Sequence, residues 1–509
     1  MIAKHCKYRI MKHILLPKIA GLFHILLFVV ILFGCTQTPV LWSVKSSQQV
    51  VTDYIATRPD QFSEFGKLLE STGLSAQLSV RGPFTLFLPD NAAILKYYQN
   101  NNTSFDQLTK DQKLTLVFNH LIANEIQTGD VGLGALRDTN AIGDFLVTEF
   151  QGSDIIINKQ SKITKRDIQV ANGYIDYIDK VIDPVTISGY DKLASDPSYS
   201  IFTEGLKRTG LKDTLQMVNF LYGKKHARTR FTILAVPDTI FKRNNINSVD
   251  DLIARYTSSP DSITFLKNGF YRYMEYHCMG GTYYLSDFAL GTKLYPILSS
   301  DNNISVTIDT DYKLNYNLAK KTYTGFDIVH SNIPTKNAAI HTINDLLPVT
   351  QPAASTMTFY CTDYFDMKQG DYYGKYYMKW YDGSYATGPF AKIHWQGDYM
   401  QYYYKNHDTG DLGTTFDCLN MNGFWWIEII TPKIMKGHYN LTANLWSGQM
   451  DYEVYVDGVH TATIKSTDPA KTTSWGEFIW DNTEEHKIRV VNITWGMLFW
   501  NTVIFTPIK

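Results

Sequence analysis

The sequence predicts an α+β protein in which a duplicated part with helices and strands precedes an all-β domain. The chain has 509 residues, which corresponds to several domains at roughly 100–200 residues each. Two stretches between residues 50 and 350 carry the same landmarks in the same order. Beyond residue 355 the helical spacing of apolar residues disappears, and nine of the ten Trp are found there.

The composition is that of a folded protein with balanced charge. Hydrophobic residues make up 44% and charged residues 19% of the chain, so it has enough apolar side chains to build cores. The 48 Lys and Arg and the 49 Asp and Glu give a net charge of −1. A protein that binds nucleic acid needs a basic face to displace counterions, so we expect no nucleic-acid partner.

The N-terminal segment has the features of an export signal. Basic residues precede an apolar run from Ile19 to Phe33, which is shorter than the ~20 residues that span a bilayer as a helix. The run ends in Leu32-Phe33-Gly34-Cys35, which resembles the lipobox of bacterial lipoproteins. This resemblance implies a signal peptide over residues 1–34, cleavage before Cys35, acylation of that cysteine and a tether over residues 35–49. No aspartate follows Cys35, which favours the outer membrane; an uncleaved membrane helix is the alternative.

The duplicated part is recognised by four landmarks that each stretch contains. The first is a helix that ends in Thr-Gly-Leu, the second a strand that runs into Pro-Asp, the third a His beside apolar residues, and the fourth a closing strand that begins with Asn. The paired positions are Gly73 and Gly210, Pro89 and Pro237, His120 and His277, and Asn172 and Asn337. The spacing between the copies only widens along the chain, as loop insertions in a second copy would produce. We predict domains over residues 50–185 and 186–350.

These landmarks resemble those of the fasciclin (FAS1) family, in which they occur in the same order. Tyr276 and His277 match the Tyr-His pair of that family, whereas the first copy has Asn119 and His120 at those positions. Ala338 stands where the closing strand of the family prefers Gly. The resemblance implies two β-wedge domains with small helices packed on them, and a role in adhesion without catalysis.

Two features of the repeats have both a functional and a structural interpretation. The resemblance places the Tyr-His-type positions near a region through which some family members are thought to engage receptors. A His beside an apolar run is more often buried and hydrogen-bonded, so the structural interpretation is favoured. The basic insertion Lys224–Arg230 could contact a sulfated or phosphorylated partner, but such runs are more often solvated loops.

The last third of the chain predicts a β-sandwich of the jelly-roll kind. A Pro-, Ala- and Ser-containing linker over residues 351–357 leads into an aromatic-rich domain over residues 358–509. Apolar and polar residues alternate along short runs there, as in strands. Asp457-Gly458 separates two such runs, Tyr452–Val456 and Val459–Ile464, and is a typical hairpin turn.

The strand order of this domain resembles galactose-binding-like jelly rolls, a fold that many carbohydrate-binding modules have. In that fold, ligands lie on loops at one end of the sandwich or on one sheet face, and an Asn before the closing strand bonds the sugar in some modules. Trp446 and Trp495 in predicted loops, with Asn501 before the closing strand, are therefore our candidate glycan-binding residues. Aromatic rings stack on sugar faces, but each single aromatic residue is more often part of a sandwich core.

The five Cys are too few and too scattered for a disulfide framework or a zinc site. Cys361 and Cys418 could form a disulfide after export to an oxidising compartment, and Cys278 would then be a buried free thiol. We expect no metal site.

The sequence contains no positive signal for catalysis. It has no Gly-x-Ser-x-Gly elbow, phosphate loop, His-Glu-x-x-His or dinucleotide fingerprint, so we expect no cofactor. The favoured hypothesis is a lipid-anchored envelope protein that adheres to an extracellular polysaccharide or a surface protein. The alternatives are an accessory subunit of an outer-membrane nutrient-uptake complex, and a glycoside hydrolase, whose two carboxylates a sequence cannot pair.

Overall fold

The computed structural model of the protein describes residues 48–508 except 81, 137, 223–224, 361–363, 365–376, 382–391, 399, 405–416, 449 and 466–471. The predicted signal peptide, the acylated Cys35 and most of the tether lie outside the described residues. Within the described part of the chain, no helix combines the length and the apolar character that crossing a membrane requires.

Residues 50–185, here called repeat 1, form a mixed sheet covered by helices. The helices are Val51–Ala56, Pro59–Thr72, Ser75–Val80, Asn91–Asn100 and Lys110–Asn119, with a short 3-10 helix at Thr128–Asp130. In spatial order, the strands are Leu121–Ile122, Phe84–Pro89, Gly173–Ile178, Ser161–Val170, Asp154–Ile157, Val147–Gln151 and Gly134–Ala135.

The helix Pro59–Thr72 shows how the sequence sets this arrangement. Proline is tolerated in its first turn because the N–H groups there have no helical partner. Gly73 ends the helix in the left-handed conformation, with a φ of 76°. The apolar residues predicted for one helical face, Phe62, Phe65, Leu68 and Leu69, are all buried against the sheet.

Residues 186–350, here called repeat 2, have the same arrangement with longer connections. The helices are Gly189–Ala194, Ser200–Arg208, Leu211–Gln216, Asp238–Arg243, Val249–Tyr256 and Gly269–Tyr276, with 3-10 helices at Pro197–Tyr199, Pro260–Ser262 and Leu285–Asp287. The main sheet runs in the order Cys278–Gly280, Phe231–Ala235, Ala338–Ile343, Thr322–Asp327, Tyr312–Asn317, Asn303–Ile308 and Gly291–Pro296, and Ile333–Pro334 also pairs with Ala338–Ile343. A separate hairpin joins Asn219–Tyr222 to Lys225–Arg228.

The strand pairing confirms the predicted duplication. Phe84–Pro89 lies parallel to Gly173–Ile178 in repeat 1, and Phe231–Ala235 lies parallel to Ala338–Ile343 in repeat 2. The registers correspond, because Phe84 and Phe231 each face the first residue of the closing strand. Repeat 2 has one more residue before its Pro-Asp turn, so its strand ends before the proline whereas Pro89 belongs to the strand in repeat 1.

The two repeats are joined by a buried cluster of charges. Asp144 of repeat 1 has a side chain that is 2% exposed, and it forms ion pairs with Arg228 and with Lys336 of repeat 2, the latter at 2.8 Å. Beside it, the ring of Phe145 packs edge-on against Tyr284 with centroids 5.8 Å apart. The basic insertion is therefore not a fully solvated loop, since Arg228 within it forms an ion pair with Asp144 of repeat 1.

The strands between Met357 and Pro507, here called the C-terminal domain, form an all-β sandwich of two sheets. One sheet runs in the order Tyr377–Tyr381, Met400–Tyr404, Asp417–Gly423, Gly496–Pro507, Gly437–Gly448 and Thr472–Trp480, with Met357–Tyr360 also paired to Gly496–Pro507. The other runs in the order Ile393–Gln396, Trp426–Ile430, Lys487–Asn492, Tyr452–Val456 and Val459–Ile464. Apolar side chains of both sheets meet in one core.

The predicted hairpin in this domain is confirmed. Its strands are Tyr452–Val456 and Val459–Ile464, the same bounds as the sequence predicts. Asp457 and Gly458 have φ angles of 50° and 80°, as a two-residue turn that matches the twist of the strands requires.

A buried lysine links the C-terminal domain to repeat 2. Lys433 is 8% exposed, and its ammonium donates to the carbonyl oxygens of Ser299 and, at 2.7 Å, Ile297. In return, the amide of Asn303 donates to the carbonyl oxygen of Lys433 at 2.9 Å. Burial lowers the pKa of Lys433 to about 8, and the negative charges of Glu485, Glu275 and Asp301 oppose that shift.

Candidate functional site

The Tyr-His-type positions are interior positions in both repeats. Asn119, His120, Tyr276 and His277 are each at most 1% exposed. The Nδ1 atoms of the two histidines lie 2.7 Å from carbonyl oxygens one helical turn earlier, and burial lowers the pKa of both histidines to about 4. These contacts favour the structural interpretation of the pair.

The glycan-binding residues proposed from the sequence lie in three different settings. Trp495 is 62% exposed in the turn before the closing strand, as expected. Trp446 lies inside the strand Gly437–Gly448 and not in a loop, because that strand extends as far as its partner Gly496–Pro507 allows. Only the backbone of Trp446 is described.

Asn501 is not brought to Trp495. It is the additional residue of a bulge, since Asn444 pairs with Thr502 and Leu445 with Trp500, and it is 4% exposed. Six residues along a strand separate Asn501 from Trp495, a distance of about 20 Å. Asn501 and Trp495 therefore do not converge on one site.

Trp495 instead lies beside an open cleft at one end of the sandwich. This cleft, here called the aromatic cleft, has a volume of 460 Å³. Its walls come from the end of the strand Ile393–Gln396, the turn before Trp426–Ile430, and the strand Lys487–Asn492. The residues lining it are Gln396, Gly397, Asp398, Phe424, Trp425, Trp426 and Asn492.

Adjacent aromatic residues in this turn have different roles. Phe424 is 66% exposed, whereas Trp425 is 3% exposed and belongs to the core. Trp426 is half-buried, its indole N–H donates to Gln396 Oε1 at 2.9 Å, and the Arg489 guanidinium lies 4.1 Å from its ring centroid.

Two glycines keep the aromatic cleft open. A Cβ on Gly397 would lie 2.8 Å from the Cβ of Trp425, so the chain can pass over the tryptophan only without a side chain there. Gly423 has a φ of 92°, which favours glycine. A Cβ on Gly423 would lie 3.5 Å from Asp398 Oδ2 and 4.0 Å from the indole nitrogen of Trp495. The carboxylate and the indole N–H thus border the same gap.

Asn492 holds the two turns of the cleft together. Its amide nitrogen donates to Gly423 O at 2.5 Å and to Thr494 O at 3.1 Å, and its oxygen accepts from the backbone N–H of Trp425 at 2.7 Å. The exposed rings of Phe424 and Trp495 are therefore carried by turns that a buried side chain fixes, which preorganises the surface.

Sequence reasoning missed Phe424, Gln396 and Asp398. The signal that could have found Phe424 was its place next to Trp425-Trp426, since neighbouring residues of an extended chain point to opposite sides. No local signal marks Asp398 or Gln396, because the pairing of Ile393–Gln396 with Trp426–Ile430 brings them to the cleft.

The predicted disulfide stays a prediction. Cys418 is buried in the strand Asp417–Gly423, and Cys361 lies outside the described residues. Cys278 is a buried free thiol, and burial raises its pKa.

Comparison with known proteins identifies similar sequences and folds. Human periostin (Homo sapiens) is 27% identical over 157 residues, which are 30% of this chain and 18% of periostin; the chain therefore spans less than a fifth of that relative. The FAS1 domain pair of the insect cell adhesion molecule Fasciclin I is 17% identical, with a TM-score of 0.26 and coverage of 58% of this chain and 98% of the pair. The carbohydrate-binding module CBM36, solved with calcium and xylotriose, is 14% identical, with a TM-score of 0.16 and coverage of 22% and 93%.

The family model of the fasciclin domain matches two regions of the chain, residues 60–184 and 197–349. Together these regions make up more than half of the sequence, and each lies within one of the two repeats whose strands correspond. The chain belongs to the fasciclin domain family.

Proposed function

We propose that this protein is a non-catalytic, lipid-anchored adhesion protein of the cell surface that binds an extracellular polysaccharide through its C-terminal domain. Fasciclin domains are adhesion and binding modules, which supports the general role. The observation that supports the ligand is the aromatic cleft, with the exposed rings of Phe424 and Trp495 on turns fixed by Asn492. Rings of this kind stack on the apolar faces of sugars.

The ligand is tested with variants of the exposed rings. Trp495→Ala and Phe424→Ala should keep the melting temperature of the wild type, because both side chains are more than 60% exposed. Retention in affinity gels that contain polysaccharide should fall, since each variant removes a ring on which the apolar face of a sugar can stack. The protein for this test is the soluble chain from residue 36.

Two further variants serve as controls. Ile479→Ala removes a side chain that is 74% exposed on the strand Thr472–Trp480, outside the aromatic cleft, and should change neither retention nor stability. Trp475→Ala removes a fully buried ring and should cost about 3–5 kcal/mol of stability. If Trp495→Ala and Phe424→Ala are retained like the wild type, the aromatic cleft is not the binding site.

Retention of the wild type by no polysaccharide would favour assembly with a surface protein or an outer-membrane uptake complex. Hydrolysis of a retained polysaccharide would instead favour a glycoside hydrolase, which needs two carboxylates ~5–10 Å apart.

The membrane anchor is part of the same proposal and rests on the Leu32–Cys35 motif. Cys35→Ala should abolish labelling with a radioactive fatty acid, and globomycin should cause the uncleaved precursor to accumulate. Normal processing and normal labelling in these experiments would rule out lipid anchoring at Cys35.

A further inference from the structure

The charge of the aromatic cleft points to the class of glycan that it accepts. Among the described residues that line the cleft, Asp398 is the one with a charged side chain. It is exposed, and no other described side chain pairs with it. The guanidinium of Arg489, which stacks on Trp426, lies 3.9 Å from Glu428 Oε2 and so already has an acidic neighbour on the sheet face.

Asp398 is placed where a ligand on the aromatic rings would meet it. Its carboxylate and the indole N–H of Trp495 both lie within 4.0 Å of the point where a Cβ would stand on Gly423. A sugar over Trp495 therefore has a hydrogen-bond donor and a negatively charged acceptor on the two sides of one gap. An ionised carboxylate accepts hydrogen bonds from hydroxyl or ammonium groups and repels other anions.

We infer that the aromatic cleft selects glycans whose contacting sugars are neutral or carry an amino group, and discriminates against carboxylated and sulfated polysaccharides. This inference rests on the proposed function, since it specifies the ligand of the same site. Attraction and repulsion act together: sugar hydroxyls or amines donate to Asp398, and an acidic sugar placed at the same point is rejected. Specificity of this kind needs a repulsive element as well as an attractive one.

The experiment compares two polymers that share a backbone and differ in charge. Affinity electrophoresis of the soluble chain from residue 36 is run in hydroxyethyl cellulose and in carboxymethyl cellulose, and in neutral and carboxymethylated β-1,3-glucan. The wild type should be retained about tenfold more strongly by the neutral member of a pair that it binds. Added salt should reduce this ratio, because screening weakens the repulsion of an exposed charge.

Asp398→Asn keeps the shape of the side chain and removes its charge. It should lower retention by the neutral polymer, raise retention by the carboxymethylated polymer, and bring their ratio close to one at an unchanged melting temperature. Asp481→Asn is the matched control, because Asp481 is also an exposed aspartate of the C-terminal domain in a different turn, and it should leave the ratio unchanged.

The outcomes separate the inference from the proposed function. A ratio that Asp398→Asn leaves unchanged, or a wild type that prefers the carboxymethylated polymers, overturns the inference; loss of retention in Trp495→Ala would then still support binding at the cleft. Retention that Trp495→Ala does not reduce, or no retention by any of the four polymers, rejects the site and the inference with it.

Discussion

Repeat 1 and repeat 2 have the same central pair of parallel strands but place different ionisable groups on it. Asp176 pairs with Phe87 in repeat 1, and His341 pairs with Leu234 at the corresponding position in repeat 2. Both side chains are almost fully buried. The backbone pairing is therefore compatible with either an acid or a base, provided that the surroundings supply hydrogen bonds.

Those hydrogen bonds differ between the repeats. The Asp176 carboxylate accepts from the backbone N–H of Asp167 at 2.8 Å. His341 Nε2 lies 2.8 Å from the carbonyl oxygen of Tyr283, and its Nδ1 accepts from the N–H of Asn332 at 3.4 Å. The partners of His341 come from loops, whereas Asp167 lies in the strand Ser161–Val170, where its register with Gly173–Ile178 shifts.

The largest losses of stability should come from a packing contact that both repeats contain. Phe65→Ala and Phe202→Ala each remove a buried ring that packs edge-on against His120 or His277, with centroids 6.1 Å and 5.6 Å apart. Each variant should lose about 3–5 kcal/mol of unfolding free energy, measured by denaturant unfolding. A loss confined to one of the two variants would show that the repeats do not use this contact equally.

The link between the repeats should have the next largest effect. Asp144→Ala leaves the partly buried Arg228 and Lys336 without their carboxylate and should cost about 3 kcal/mol. We also expect the unfolding transition to broaden or split, since the repeats then unfold independently. Asp154→Ala is the control, because both side chains of its ion pair with Lys162 are about 40% exposed and the pair should contribute less than about 1 kcal/mol. Equal losses of unfolding free energy in the two variants would argue against a special role for Asp144.

The pH dependence of stability should distinguish the two repeats. Burial raises the pKa of Asp176 to about 7, so folded repeat 1 retains a proton that the unfolded chain releases near pH 4. The stability that this bound proton contributes is lost as the pH rises from about 4 to about 7. Burial lowers the pKa of His341 to about 4, so its contribution is lost as the pH falls from about 6.5 to about 4.

In a plot of unfolding free energy against pH, Asp176→Asn should therefore remove a loss of stability with rising pH. His341→Gln should remove a loss of stability with falling pH. Each should remove at most about 1.4 kcal/mol per pH unit from its own slope, the limit for one proton. The difference between wild type and variant is the quantity to measure, because Glu275, whose pKa burial raises to about 7, also titrates in this range. Parallel curves for wild type and Asp176→Asn would mean that this carboxyl is ionised in the folded protein.

The smallest expected effect concerns the two histidines at matching positions of the repeats. His120 Nε2 accepts from the backbone N–H of Ile182 at 3.0 Å, whereas His277 Nε2 is buried without a hydrogen-bond partner among the described residues. His120→Ala should therefore cost about 1 kcal/mol more than His277→Ala, because it also leaves a buried N–H unpaired. Equal unfolding free energies for the two variants would show that this bond does not stabilise repeat 1.

The sequence predicts the repeats well because their landmarks depend on local chemistry. Gly73 in the left-handed conformation, the buried face of Phe62–Leu69 and the Asp457-Gly458 turn follow from rules that act over a few residues. The order of these landmarks is enough to predict a duplicated fold, and a period of two in the last third is enough to predict strands.

The candidate site depended on contacts between distant parts of the chain. Asp398, Phe424 and Trp495 meet only because the strands that precede or follow them pair in two sheets, and register is set by the packing of the whole sandwich. The burial of Asn501 follows from a bulge, and the contact of Arg228 with Asp144 follows from the docking of two repeats. The sequence by itself determined the fold class, the duplication and the exposed Trp495, because these follow from local periodicity and turn chemistry. The tertiary structure alone decided which side chains share a surface. Strand register and domain packing bring together residues that no spacing in the sequence relates.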